Sequence, residues 1–176
     1  LKNAAGFVLR ASAELSLRNM AGVEFAKWPA GEDLSFPLTW GSAPKSGEGI
    51  RVLPSSGFGI AVLDLQRDKG SYWGMEEDLE VRGPLTALCQ AGRWTLINEL
   101  EVDAYVLGVL PGEMPSGYPL EAMRAQAVAA RSEASAKKGR HKAEGFDVCG
   151  GAHCAVYRGR LDENEIYRTA AKGDST

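Results

Sequence analysis

The sequence is poor in cysteine and histidine, with three Cys and two His among 176 residues. Three cysteines are too few for a disulfide scaffold, and an odd number leaves one thiol over under any pairing. Cys89 falls at the end of a predicted strand, and we interpret it as a small buried hydrophobic residue. The other two cysteines lie close to both histidines, which is improbable for a chance distribution.

Long apolar runs are also absent. The chain contains no run of about 18 apolar residues, the length that a membrane-spanning helix needs. It begins at Leu1 without the charged segment, apolar core and cleavage site of a signal peptide. We therefore expect no membrane span, and we expect any signal peptide to have been removed or to lie outside this sequence.

The chain also lacks an excess of positive charge, since its formal net charge is -3. This balance argues against a nucleic-acid-binding surface. With 44% hydrophobic residues, the chain is long enough to bury one core. Four clustered cations are typical of a solvated helix end, where positive charge is favourable: Lys137, Lys138, Arg140 and Lys142.

Short apolar runs separated by turn residues predict an antiparallel sheet in the middle of the chain. Residues 1–47 show no sustained period, so we interpret them as an N-terminal extension that precedes a domain at 48–176. The expected strands cover Ile50–Leu53, Gly59–Leu65, Leu79–Arg82, Leu85–Cys89 and Arg93–Ile97.

The hydrophobic period becomes helical after these strands. Apolar residues recur at helical spacing over Glu101–Leu110, and Pro111 is expected to end this helix. A second helix is predicted from Pro119 to Lys138, where Gly139 ends it.

A Gly-rich loop over 145–159 precedes the last predicted helix. Asp162 and Glu165 form an acidic variant of the capping box, which opens a helix reaching about Lys172. The order of the elements indicates an α+β fold, in which an antiparallel β region is followed by packed helices.

A single carboxylate lies in the predicted turn between the first two helices. Glu113 is flanked by Gly112 and Met114, and Pro111 and Pro115 bound the turn. If the helices pack together, the turn is partly shielded, and desolvation can raise the pKa of a carboxyl group into the range of a general acid. The local pattern leaves two interpretations open, an ordinary solvated glutamate and a proton donor.

The segment HKAEGFDVCGGAHCAVYRG holds both histidines and two of the cysteines. Two thiolates and two imidazoles are what a closed tetrahedral zinc site requires, and with four protein ligands such a site is structural. Gly150 and Gly151 supply the freedom that a tight ligand loop needs. A disulfide between Cys149 and Cys154 is the alternative, and it excludes zinc. The four candidate ligands are His141, Cys149, His153 and Cys154.

The stretch NELEVDAYVLGVLPGEMPSGYPLEAMRAQAVAARSEA combines several elements in order. Asn98, Asp103 and Tyr105 precede the GVLPGEMP turn, and the EAMRAQAVAAR helix follows it. This combination resembles the stage II sporulation protein D family, a peptidoglycan-remodelling group that includes proteins named as amidase enhancers. The resemblance covers about residues 72–172. Family members continue beyond the last helix, so we expect the domain to be truncated on its C-terminal side.

The resemblance implies lytic transglycosylase activity on the glycan strands of peptidoglycan. Glu113 matches the catalytic acid, which protonates the oxygen between N-acetylmuramic acid and N-acetylglucosamine. The same carboxylate then helps the muramoyl 6-hydroxyl to close onto C1 and form a 1,6-anhydro end. Because this nucleophile is intramolecular, one carboxylate suffices where a hydrolase usually needs two. Some family members with a Cys and a His-Cys pair in the loop segment bind zinc.

Three further side chains are candidates for binding the glycan. Arg131 matches the Arg of the family's QAVAAR element and could reach Glu113 or a sugar carboxylate, or it could form a structural ion pair. Gln126 lies about 140 degrees round the same helix, so it cannot share a narrow face with Arg131. Tyr118 is a candidate for stacking on a sugar, with packing as the alternative.

Three functions follow from these features. The first is a lytic transglycosylase, the second a non-catalytic glycan-binding module that stimulates a cell-wall amidase, and the third a zinc-stabilised interaction domain. The expected partners are peptidoglycan glycan strands and other cell-wall hydrolases, without nucleic acid. The expected location is extracytoplasmic, in the cell wall, the periplasm or an intermembrane space, with anchoring only by a segment outside this sequence.

Overall fold

A computed structural model describes residues 4–38, 48–56, 59–66 and 76–172 of the chain. The chain divides into two compact units, Leu1–Glu99 and Leu100–Thr176. The first unit is built from strands and the second from helices and loops. This composition confirms the predicted α+β class.

The described part of the first unit forms two antiparallel sheets. One sheet has the strand order β4-β1-β6-β7, and the other has the order β3-β2-β5-β8-β9. The strands are β1 (Phe7–Ala11), β2 (Leu15–Asn19), β3 (Glu24–Trp28), β4 (Leu34–Phe36), β5 (Gly49–Pro54), β6 (Ile60–Gln66), β7 (Glu76–Val81), β8 (Leu85–Gln90) and β9 (Arg93–Asn98).

Alternation of side chains along the strands builds the core of the first unit. Leu9 is fully buried between Phe7 and Ala11, which are also buried, because every second side chain of a strand points to the same face. Phe7 stacks on Phe36 with ring centroids 4.5 Å apart, and Trp94 meets Phe36 edge-on at 5.3 Å. Cys89 is buried as well, as predicted for a small hydrophobic residue.

The five predicted strands are confirmed, and they correspond to β5–β9. The described residues before position 47, which we interpreted as an N-terminal extension, form β1–β4. Strand β2 pairs with β5 across the predicted boundary, with Leu17 opposite Val52. The compact units of the structure divide after Glu99.

The described part of the second unit, residues 100–172, contains three α-helices that pack against one another. They are α1 (Val102–Glu113), α2 (Leu120–Lys137) and α3 (Glu165–Lys172), and a short 3-10 helix covers Lys142–Glu144. Each helix buries a mostly small apolar face: Val106, Val109 and Leu110 on α1, Met123, Ala127 and Ala130 on α2, and Tyr167, Ala170 and Ala171 on α3. No helix within the described residues is long and apolar enough to cross a membrane.

The end of α1 differs from the prediction. The helix continues through Pro111 to Glu113, and the Met114 amide donates to the Leu110 carbonyl over 3.0 Å. Proline removes one helical donor, but its fixed φ is compatible with a helix. Glu113 is therefore the last helical residue of α1 and does not lie in a free turn between two helices.

The start of α3 also differs in detail. Oδ1 of Asn164 accepts from the amides of Ile166 and Tyr167 at 3.1 and 3.3 Å, so Asn164 caps the helix. Asp162 adopts a positive φ of 60° and pairs with Arg158 at 2.9 Å. The predicted capping box at Asp162 is wrong, although the helix that it introduced is present.

Candidate functional site

Glu113 lies at the C-terminal end of α1 with an exposed side chain. Its Oε1 atom accepts a hydrogen bond from the main-chain amide of Val156 over 3.0 Å. The expected shielding of this carboxylate by packed helices is absent. The carboxylate is instead held by a chain segment that follows the Cys/His loop.

Two glycines one helical turn apart allow this segment to lie against α1. A Cβ atom at Gly108 would come within 2.3 Å of the Tyr157 ring, and one at Gly112 within 2.3 Å of the Val156 carbonyl oxygen. The Arg158 amide also donates to the Gly108 carbonyl over 2.7 Å. Sequence reasoning missed this contact, although two glycines four positions apart in an apolar helix are a recognisable signal of close approach.

Helix α3 holds the end of α1 from another direction. The buried Tyr167 donates its hydroxyl hydrogen to the Met114 carbonyl over 2.8 Å. This carbonyl lies just past the last residue of α1, where helical partners are missing. Contacts with α3 therefore restrain the helix end that carries Glu113.

The four predicted ligands come together in space. The candidate ligand atoms of His141, Cys149, His153 and Cys154 all lie within 4.8 Å of one another. The Cys154 Sγ atom lies 3.5 Å from His141 Nε2, and His153 Nδ1 lies 3.7 Å from each of the two sulfurs. A tetrahedral ion with bonds of about 2.3 Å to sulfur and 2.0 Å to nitrogen separates a sulfur from a nitrogen by about 3.5 Å.

Residues around the cluster orient its donors. Nδ1 of His141 lies 2.8 Å from a carboxylate oxygen of Glu144, which leaves Nε2 for a metal. The His141 ring stacks on Phe146 at 4.9 Å, and Lys137 Nζ donates to the Cys154 carbonyl over 2.6 Å. The donor types and the three sulfur–nitrogen spacings of 3.5 and 3.7 Å therefore fit a metal ion.

The thiols of the cluster are free. Cys149 and Cys154 are not joined by a disulfide, so the predicted alternative is not formed in this structure. Burial raises the pKa of the Cys154 thiol, and a hydrogen bond from the Cys149 main chain opposes part of this rise. A bound cation would oppose this effect, because a thiol that coordinates a metal is deprotonated.

A pair of tyrosines connects α1 to the segment after the loop. The rings of Tyr105 and Tyr157 stack 5.9 Å apart with an angle of 7° between their planes. Burial, with smaller contributions from negative charge at Cys154 and Glu133, raises the pKa of Tyr105 to about 12. Tyr105 therefore remains a neutral phenol near neutral pH.

The three residues proposed for glycan binding occupy different environments. Arg131 donates to Asp103 at 2.9 and 3.0 Å and also to the Ala171 carbonyl, so it forms the structural ion pair that was its alternative role. Tyr118 is 52% exposed in the connection between α1 and α2. Gln126 is half-buried on α2.

Comparisons with known proteins place most of these features in one region. Residues 90–174 match the family model SpoIID, described as stage II sporulation protein. An uncharacterized protein of Brachyspira hyodysenteriae is 39% identical over 88 residues, which cover 49% of this chain and 24% of that protein. The chain thus matches about a quarter of the length of this relative. No solved structure matches the chain.

The close contact at Gly112 leads to a stability prediction. Replacing an ordinary helical glycine by alanine stabilises a protein by about 0.5–1 kcal/mol. Gly112→Ala should instead lower the free energy of unfolding by about 1–3 kcal/mol, because its Cβ would meet the Val156 carbonyl oxygen. Gly117→Ala is the matched control, since a Cβ there meets no atom within 4 Å. Equal urea-unfolding curves for the two variants would contradict the contact.

The raised pKa of Tyr105 predicts a pH dependence of stability. Between pH 10 and about 12 the tyrosine ionises in the unfolded chain but not in the folded one, so its contribution to stability falls as the pH rises. Tyr105→Phe should lose less stability across this window than the unaltered chain, and Tyr118→Phe, at an exposed tyrosine, should follow the unaltered chain. Urea unfolding at several pH values measures the difference. Identical pH profiles for all three proteins would rule the effect out.

Proposed function

We propose that the chain is a peptidoglycan lytic transglycosylase, because residues 90–174 match the model of the SpoIID family, whose role is related to the cell wall. Glu113 serves as its acid and base. The observation that carries this proposal is the position of Glu113, an accessible carboxyl group that a main-chain amide holds at a restrained helix end.

The hydrogen bond from Val156 suits both protonation states of Glu113. In the neutral acid, Oε1 accepts from the amide while the Oε2 hydroxyl is available to a substrate. In the carboxylate, the same hydrogen bond persists and gains strength from the charge. A glycan strand that covers the exposed group would exclude water from it, and desolvation favours the neutral acid.

The reaction then needs one carboxyl group. Glu113 gives its proton to the glycosidic oxygen as the bond from that oxygen to C1 of N-acetylmuramic acid breaks. The 6-hydroxyl of the same sugar forms a new bond to C1 and gives its proton to the Glu113 carboxylate. The products are a free N-acetylglucosamine 4-hydroxyl and a 1,6-anhydro end, and no water is consumed.

Two of the predicted glycan-binding residues remain candidates for contact with the strand. Tyr118 presents an exposed ring in the connection that follows α1, where it can stack on a sugar. Gln126 is half-buried on α2 and offers its side-chain amide to the strand. Arg131 contributes indirectly, because its guanidinium joins Asp103 of α1 to α3.

Zinc is the metal that the Cys/His cluster suits best. Two sulfur and two imidazole donors match its preference for tetrahedral sites, and these four protein ligands would fill all four positions. His141, Cys149, His153 and Cys154 would hold the ion, which supplies structural stability rather than an activated water. The proposed setting is extracytoplasmic, where the glycan strands lie.

A non-catalytic enhancer of a cell-wall amidase is the second candidate function. The observation that favours it is the exposure of Glu113, since a glutamate that only contacts a glycan needs no shielding. Both functions require glycan binding, but only the transglycosylase requires a transferable proton at Glu113. A zinc-stabilised interaction domain, the third possibility, requires neither.

The decisive variant is Glu113→Gln, which keeps the shape of the side chain and removes the acid. Its rate of forming 1,6-anhydromuramic ends should fall at least about a hundredfold, because general acid and base catalysis contributes about 100- to 10,000-fold. Mass spectrometry of products from purified glycan strands measures this rate. Glu121→Gln, at an exposed glutamate of α2, is the matched control and should retain full activity.

Binding to insoluble peptidoglycan is measured in parallel. Equal product formation by the unaltered chain and Glu113→Gln would reject Glu113 as the acid. Binding without products, together with stimulation of an added amidase, would establish the enhancer function. If the chain neither forms products nor binds peptidoglycan, the zinc-stabilised interaction domain is the remaining function.

Zinc removal should destabilise the protein. A chelator is expected to lower the melting temperature by roughly 5 °C or more, because the free energy of metal binding stabilises only the folded site. Cys149→Ser should lose the bound zinc when metal content is measured, while Cys89→Ala should keep it, since Cys89 lies outside the cluster. An unchanged melting curve after complete removal of zinc would reject the structural role.

A further inference from the structure

The amide of Val156 decides where the Glu113 carboxyl group points. The hydrogen bond between them is 3.0 Å long and joins residues 43 positions apart. An exposed glutamate side chain keeps its rotamer freedom unless a contact restricts it. The orientation of Glu113 therefore depends on the placement of the main chain at Val156.

On one side, α1 fixes this main chain. Gly112 lets the Val156 carbonyl approach the helix more closely than any side chain would allow. The next contact along the chain is the hydrogen bond from the Arg158 amide to the Gly108 carbonyl, at 2.7 Å. These two contacts hold the segment after the amide along the surface of α1.

On the other side, the Cys/His cluster fixes the chain. Ala155 alone separates Val156 from Cys154, a buried candidate ligand. The Cys154 amide donates to the Gly151 carbonyl over 3.0 Å, and its own carbonyl accepts from Lys137 over 2.6 Å. An ion that joins the Cys154 sulfur to the other donors would restrain the backbone within two residues of the Val156 amide.

We propose that Val156 is a positioning residue for Glu113, and that metal binding to the Cys/His cluster sets the position of its amide. The proposal rests on the proposed function, because the orientation of Glu113 affects catalysis only if Glu113 is the acid. A metal-bound loop holds the acid in place before the substrate arrives, which lowers the entropic cost of reaching a reactive geometry. Without the ion, the helices persist while the carboxyl group loses its fixed direction.

The first test does not depend on a measurement of enzymatic activity. In NMR spectra of the labelled protein, Glu113→Gln should shift the Val156 amide resonance, because a charged acceptor becomes a neutral one. Removal of zinc by a chelator should speed hydrogen exchange at Val156 at least about tenfold, and added zinc should reverse this. The Met114 amide, bonded to Leu110 within α1, is the internal control and should keep its exchange rate.

The second test removes only the donor. Replacing Val156 by its α-hydroxy acid through semisynthesis turns the amide into an ester and keeps the side chain. The zinc-bound ester should show a kcat at least about tenfold lower, as expected for a lost hydrogen bond to a charged group, with KM within about twofold. Its zinc content should not change. The same replacement at Gly117, in the connection between α1 and α2, should leave kcat unaltered.

Each failure has a separate meaning. A Val156 resonance that responds to neither Glu113→Gln nor zinc removal would overturn the coupling. An unchanged kcat in the zinc-bound ester would overturn the positioning role. If both NMR responses appear but the unaltered protein forms no 1,6-anhydro products, the proposed function fails while the metal-dependent orientation of Glu113 stands.

Discussion

The close approach of residues 156–159 to α1 is the constraint on which the candidate site depends. Gly108 and Gly112 remove the side chains that would keep the two backbones apart. Only at this separation can the Val156 amide reach Glu113. The same approach brings Tyr157 into its stack on Tyr105. A helix with larger residues at the two glycine positions would lose all of these contacts together.

Polar contacts at two places join α3 to the rest of the second unit. The Tyr167 hydroxyl holds the carbonyl just past α1, and Arg131 connects Asp103 with the main chain of α3. The buried apolar faces of these helices are mostly alanine and valine, whose contacts are non-directional. Directional hydrogen bonds therefore contribute to the position of the helix end that carries Glu113.

The sequence alone predicted those features that depend on local pattern. Strands β5–β9 and helix α2 follow their periodicity, and the metal cluster follows from the clustering of scarce residue types. The predicted end of α1 was wrong. The rule that a helix stops at a proline considers only local geometry, and it ignores the contacts made by the last turn of the helix around Pro111. Strands β1–β4 were missed because alternation over five residues or fewer is a weak signal. The partners of Arg131 are set by tertiary structure, which no spacing reveals.

The two glycine contacts of α1 constrain evolution differently. At Gly112 the obstacle is the carbonyl oxygen of Val156, a main-chain atom that no substitution at position 156 can remove. At Gly108 the nearest atoms belong to the Tyr157 side chain. A smaller residue at position 157 could admit a larger one at 108 once the Gly159 carbonyl oxygen, 3.0 Å from the added Cβ, also shifts by a few tenths of an ångström. Among related sequences, positions 108 and 157 should vary as a pair, whereas position 112 should stay glycine whatever stands at 156.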